Sequence, residues 1–200
     1  MIQTTPGDLR ILGLDPGLRR TGWGVIAVNG SRMQFVAAGC IQPKADAPLA
    51  ERLNTLFTGV RGLVELHQVA EAAIEETFVN QNPKSTLKLG QARGVVMVAP
   101  ASCGLTVGEY SANLIKKSLT GFGHAAKDQM QHMVKALLPT AELGTGPGAE
   151  DAADALAVAI CHAHHRGARG DRAGTWQVAC TSGPQLASPP APGAANSRGK

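Results

Sequence analysis

Aromatic residues are scarce in this chain of 200 residues: four Phe, two Trp and a single Tyr make up 4% of it. A core built of interlocking rings is thereby excluded, and abundant Ala, Gly, Val and Leu point to an aliphatic one. Cysteine is scarce too. Cys40, Cys103, Cys161 and Cys180 form no CxxC pair and no metal-finger spacing, which excludes a zinc ribbon and points to a reduced, cytosolic protein. No apolar run approaches the length that spans a bilayer, so a membrane is not among the expected partners. The opening MIQTTPGDLR has no basic region followed by an apolar core and does not read as a secretory signal. The length suits one α/β domain with a substantial core and is too short for two large ones.

The formal charge is +4, and its distribution is informative. Residues 84–135 carry seven basic side chains against only Glu109 and Asp128, so the body divides into a basic half and an acidic remainder. A basic surface facing an acidic cluster suits a polyanion held against metal ions, although an ordinary mixed surface has the same composition. Residues 167–200 turn Gly-, Ala-, Ser- and Pro-rich with a basic surplus of three. This segment reads as a disordered basic tail, with Trp176 as a weak docking point, leaving residues 1–166 as the folded domain.

Within that domain the apolar pattern predicts strands over 9–16, 21–28 and 32–42, forming an antiparallel meander. A helix over 47–67 follows, with Leu49, Leu53, Leu56, Val60 and Val64 at helical spacing. Then come a strand over 69–75, a helix over 84–99, a strand over 105–110, and helices near 111–119 and 125–138. The segment 144–148 (GTGPG) reads as a loop and 150–165 as an Ala-rich helix. Three antiparallel strands followed by strands alternating with helices is the order of a ribonuclease-H-like α/β fold: a mixed central sheet, antiparallel then parallel, flanked by helices.

Four carboxylates stand out on this map. Asp15 ends the first strand, in RILGLDPGLRRTGWGVI, and Glu75 ends the strand expected beside it. Asp151 and Asp154, in EDAADALAVAI, are three apart and point from one helical face. Singly, each has a structural reading: a turn former, a strand-end charge, an acid favouring a helix N-terminus. Together, carboxylates crowded at one sheet edge repel, an arrangement that divalent cations relieve. Oxygen ligands favour magnesium or manganese over zinc, and two such ions about 4 Å apart can activate water on a phosphodiester. His162 and His165 share that helical face, but His162 lies about 12 Å beyond Asp154 along the axis, too far for the same ion. Gly17, Gly22 and Gly24 are expected to let a DNA backbone approach closely.

GLDPGLRRTGWG also resembles the first phosphate loop of actin-like ATPases and sugar kinases. Those folds need a second, duplicated half with its own phosphate loop and adenosine pocket, which 200 residues cannot supply.

The segments ILGLDPG…TGWGV, AIEETFVNQNPKSTLKLGQARGV, EYSANLIKKSLTGFGHAAKDQMQHMV and DAADALAVAICHAH together resemble the RuvC family of bacterial Holliday-junction resolvases, in the right order over about residues 9–165. The resemblance implies a homodimeric, magnesium-dependent endonuclease with two ions per site, manganese substituting. It implies paired nicks in a four-way DNA junction and work alongside the RuvA–RuvB branch-migration complex in recombination and repair, in the cytoplasm. It also implies that Asp15, Glu75, Asp151 and Asp154 are the catalytic, metal-binding acids. Some members carry histidine at the position of Asp151, and the tail has no clear counterpart. A junction-binding protein without catalysis is the alternative of another class, and the presence of all four acids argues against it.

Lys127 opens a helix after a Gly-x-Gly loop, where a lysine opposes the helix dipole unless an anion is near. The resemblance places it at the active site and makes Lys116 a DNA contact; each could instead be a solvated surface lysine. Lys84, Lys88, Arg93 and Lys117 are further candidate DNA contacts. Phe78, beside the polar segment VNQNPK, is a candidate for base stacking or for packing under the loop. The helix KSTLKLGQARGVVMV is the candidate dimer interface. There Gly90, Ala92 and Gly94 would allow close approach, and Leu87, Leu89 and Val95 would supply apolar area.

Overall fold

A computed structural model describes residues 8–76 and 82–169. Its elements follow in the order β1 (Leu9–Asp15), β2 (Thr21–Asn29), β3 (Arg32–Ile41), α1 (Leu49–His67), β4 (Glu71–Glu75), α2 (Pro83–Ser102), β5 (Thr106–Tyr110), α3 (Ala112–Thr120), α4 (Lys127–Leu137) and α5 (Pro147–Arg169). The sheet order is β3-β2-β1-β4-β5. β1 pairs antiparallel with β2, and β2 with β3, while β4 runs parallel to both β1 and β5. This is the mixed, ribonuclease-H-like sheet that the element order predicts.

Both faces of the sheet are covered, which explains why β1 reads as a continuous apolar run rather than an alternating one. On one face Ile11, Ile26, Ala73 and Tyr110 pack with residues of α3, α4 and α5. On the other, Leu12, Leu14, Val25 and Ile74 meet Leu56 and Val60 of α1 and Ala92 and Val96 of α2.

Helix α5 lies so close to β1 and β2 that only glycine fits beneath it. A Cβ on Gly13 would stand 2.1 Å from the Ala155 carbonyl oxygen, and one on Gly22 would stand 2.0 Å from that of Asp151. One on Gly24 would meet the Leu156 side chain at 2.6 Å. A Cβ on Gly17 would collide with the Arg20 carbonyl oxygen at 2.2 Å, inside the turn itself. These contacts correct the expectation that Gly17, Gly22 and Gly24 make room for DNA. Gly22 and Gly24 make room for α5, and Gly17 closes the turn.

At the far end of α5 the helix is clamped to the sheet. The buried His162 ring bonds the Tyr110 hydroxyl through Nδ1 and Glu71 through Nε2, each at 2.9 Å. Arg166 donates to both Glu71 oxygens, at 3.1 and 2.7 Å, and holds that carboxyl below the usual range.

Three boundaries differ from the sequence reading by three residues or more. Helix α5 begins inside the expected loop because proline suits a first helical turn, and it continues to Arg169 because Gly167 weakens a helix without stopping it. Helix α2 runs through Pro100 to Ser102, its β-rich end held by burial of Val96, Ala99 and Pro100. Helix α2 also splits the proposed interface. Ala92 is fully buried in the chain's own core and Val95 packs against it, while Leu87 and Val98 stay exposed. The expected tail beyond Arg169 lies outside the described residues.

Candidate active site

The pleat decides which carboxylates meet. Asp15 shares the side-chain parity of Ile11 and Gly13, and Glu75 that of Glu71 and Ala73, so all face α5. Parallel register, Gly13 with Ala73 and Leu14 with Ile74, brings Asp15 and Glu75 to adjoining strand ends. Asp154 and His162 are eight residues apart on α5, about 12 Å, and Glu75 and Glu71 are four apart on β4, about 13 Å. Helix and strand therefore keep step: His162 reaches Glu71 at one end, while Asp154 stands over Glu75 at the other.

Crowding shows in the protonation of the cluster. Burial, then repulsion from Glu75, Asp154 and Asp151, pushes the Asp15 carboxyl up to about 7, with Lys127 opposing. Glu75 is raised by burial and by Asp154, against Lys116. Asp154 is raised chiefly by burial, with Lys127 opposing.

Cations of the chain supply part of the missing neutralisation. Arg20 Nε lies 2.6 Å from Asp151. Lys127 Nζ lies 2.8 Å from Glu150 and 3.6 Å from Asp154, so the anions its helix-opening position calls for are carboxylates of α5. A cavity of about 280 Å³ opens here, lined among others by Glu75, Lys116, Lys127 and Asp154. Among the described residues no three His, Cys, Asp or Glu side chains close into a coordination geometry. The donor set is nevertheless all oxygen, and a cluster that keeps Asp15 protonated near neutrality is one whose repulsion a divalent cation would relieve.

The other candidates are spread over the surface. Lys84, Lys88 and Lys117 are exposed. Arg93 differs from the surface position expected of a DNA contact: it pairs with Glu109 and donates to the Glu75 carbonyl at 3.2 Å, bracing the strand end that carries the acid. Phe78 lies outside the described residues.

Residues 11–162 match the family described as Crossover junction endodeoxyribonuclease RuvC. The chain belongs to the RuvC family. It is similar to the Crossover junction endodeoxyribonuclease RuvC of Azorhizobium caulinodans, with 59% identity over 163 residues covering 82% of this chain and 94% of the relative. Similarity to that of Xanthobacter autotrophicus is 61% over 160 residues, 80% of this chain and 92% of the relative. Among solved structures it resembles Thermus thermophilus RuvC in complex with Holliday junction substrate, with a TM-score of 0.72 and 30% identity over 79% of this chain and 94% of that one.

Within this RuvC-family fold, three partners at the acids are not evident from residue order. Arg20 looked like a turn residue, Glu150 like a helix-dipole acid, and Arg93 like a DNA contact. The one signal for any of them was the position of Arg20, five residues after Asp15 in a turn that must fold back over the strand end. Among the described residues no helix is long and apolar enough to cross a membrane.

Proposed function

We propose that this RuvC-family chain is a divalent-metal-dependent endodeoxyribonuclease that resolves four-way DNA junctions by paired, symmetric phosphodiester hydrolysis. Its setting is recombination and repair in the cytoplasm, alongside a RuvA–RuvB branch-migration complex. The observation that carries the reading is the gathering of Asp15, Glu75, Asp151 and Asp154 at the ends of the central strands β1 and β4, with Asp15 raised to about 7 by burial and its neighbours. Relatives named endodeoxyribonucleases, and a related structure solved with junction substrate, support it.

The four acids would hold two magnesium ions, with manganese as a substitute. When bound, the ions supply Lewis-acid stabilisation of the phosphoryl oxygens and a water acidic enough to attack at neutral pH. The protein's own groups do the positioning. Asp15 and Glu75 present carboxylates from adjoining strand ends, and Arg93 braces the Glu75 backbone. Lys127 and Lys116, lining the cavity with Glu75 and Asp154, attract the phosphate over the acids. Lys84, Lys88 and Lys117 bind flanking backbone, and Phe78 stacks on bases at the junction centre.

A synthetic four-way junction incubated with the protein and magnesium is expected to yield two nicked duplexes that ligase can seal, and no product in chelator. Tight binding without cleavage in either magnesium or manganese would overturn the nuclease reading in favour of a binding protein.

A further inference from the structure

The paired arginines of the β1–β2 turn, Arg19 and Arg20, line a second cavity of about 460 Å³. Arg52 from α1, Ser85 and Lys88 from α2, and Asp151 of the acidic cluster complete its polar lining. The sheet order sets its place. Asp151 lies over Gly22 of β2, Asp15 ends β1, and Asp154 stands with Glu75 of β4. The two cavities therefore open on different sides of the acids, one lined by α3, α4 and α5 with Lys116 and Lys127, the other by the β1–β2 turn, α1 and α2.

Three separate elements bring four cations to the second cavity against a single carboxylate, and that carboxylate is already paired with Arg20. Arg19 and Lys88 are exposed and have no ion-pair partner among the described residues. Arg52 gives one terminal nitrogen to the Leu18 carbonyl at 3.0 Å, while its buried Nε has no hydrogen-bond partner among the described residues. Cations gathered from distant parts of a chain repel one another, and an anion between them removes that repulsion. The class of anion follows from the neighbourhood: a DNA strand whose cut phosphate lies over the acids must continue past them on both sides.

We propose that the Arg19–Arg20–Arg52–Lys88 cavity holds a backbone phosphate of the cleaved DNA strand next to the scissile one, on the β1–β2 turn side of the acids. This rests on the resolvase reading for the identity of the strand. Arg20 bridges the two regions, neutralising Asp151 from the side on which the neighbouring phosphate lies.

The test measures binding of the intact protein to a labelled four-way junction in chelator over a range of salt concentrations, so that no metal or cleavage enters. Each cation that no longer neutralises a phosphate makes the slope of log affinity against log salt shallower by about 0.9. The double variant Arg19→Gln/Lys88→Gln is expected to bind more weakly with a slope shallower by up to about 0.9, the weight of the one phosphate held there. The charge reversal Lys88→Glu alone is expected to bind more weakly than Lys88→Gln. Arg32→Gln, at the opposite end of the β2–β3 hairpin, removes one charge and serves as the control. A double-variant slope equal to that of the control would overturn the proposal. If wild type prefers four-way junctions no more than linear duplex, while the double variant still shows the shallower slope, the resolvase reading fails and the phosphate site stands.

Discussion

At Asp15, burial and three neighbouring carboxylates act in the same direction, and the folded chain holds a proton there up to about pH 7. The unfolded chain releases it near the ordinary value of 3.8. Between those two values the folded state binds more protons, so this residue's contribution to stability is fully present below the lower value, declines as pH rises, and is lost above about 7. Asp15→Asn removes the charge that folding disfavours. In chelator at about pH 8 the variant is expected to be more stable than wild type by about 1–3 kcal/mol, the gap closing toward about pH 4. The same variant should lose junction cleavage while keeping junction binding. Thermal melts at both pH values and a gel-based cleavage assay check this, and wild-type cleavage by Asp15→Asn would remove Asp15 from the proposed metal site.

Among the elements, α5 has the most demanding placement, because its first turns carry two of the acids and its later turns are clamped to Glu71 and Tyr110 through His162 and Arg166. Gly13, Gly22 and Gly24 set its height above the sheet. Gly22→Ala puts a methyl against the backbone of Asp151, which cannot rotate away, so the helix start must lift. The expected result is destabilisation by about 1–3 kcal/mol together with slowed cleavage, while the junction dissociation constant stays near wild type. If the glycine served the approach of DNA, binding would fall instead and the melting temperature would not. Calorimetry with electrophoretic mobility shifts separates the two. Arg93 has a comparable part at the end of β4: its guanidinium ties α2 to the Glu75 carbonyl and to Glu109 of β5.

For the whole molecule, we propose a C2 pair, in which the acid cluster described in one chain and that of its partner would meet the two strands of a junction of two-fold pseudo-symmetry. On that proposal the outer face of α2 is the candidate surface. Leu87 and Val98 are 66% and 55% exposed, and a Cβ on Gly90 or Gly94 would meet nothing within 4 Å. Gly94→Trp is therefore compatible with a folded monomer, and its effects report on assembly. Light scattering is expected to show a weakened dimer, and junction digests are expected to accumulate singly nicked molecules. A wild-type chain that stays monomeric at high concentration and on DNA, yet cuts both strands symmetrically, would overturn the paired arrangement.

Much of this was legible in the residue order. Ile-Leu-Gly-Leu-Asp at 11–15 announces a buried strand ending in a carboxylate, because a run apolar on both parities needs cover on both faces. Asp151 and Asp154 declare a shared helical face by spacing alone. Periodicity is local, so a sequence carries it openly. The glycines were misassigned because a sequence reports that backbone can approach but not what approaches: here α5 approaches Gly22 and Gly24, and the turn's own Arg20 carbonyl approaches Gly17. Ala92 counted as interface until packing turned it inward. Arg20 and Asp151 are 131 positions apart, and no local signal couples them; only the sheet order and the height of α5 bring them within 2.6 Å. The sequence by itself determined which residues carry charge and which strand ends and helix face present it. Tertiary structure decided which charges neutralise one another, because Coulomb interactions depend on distances through space that chain order does not contain.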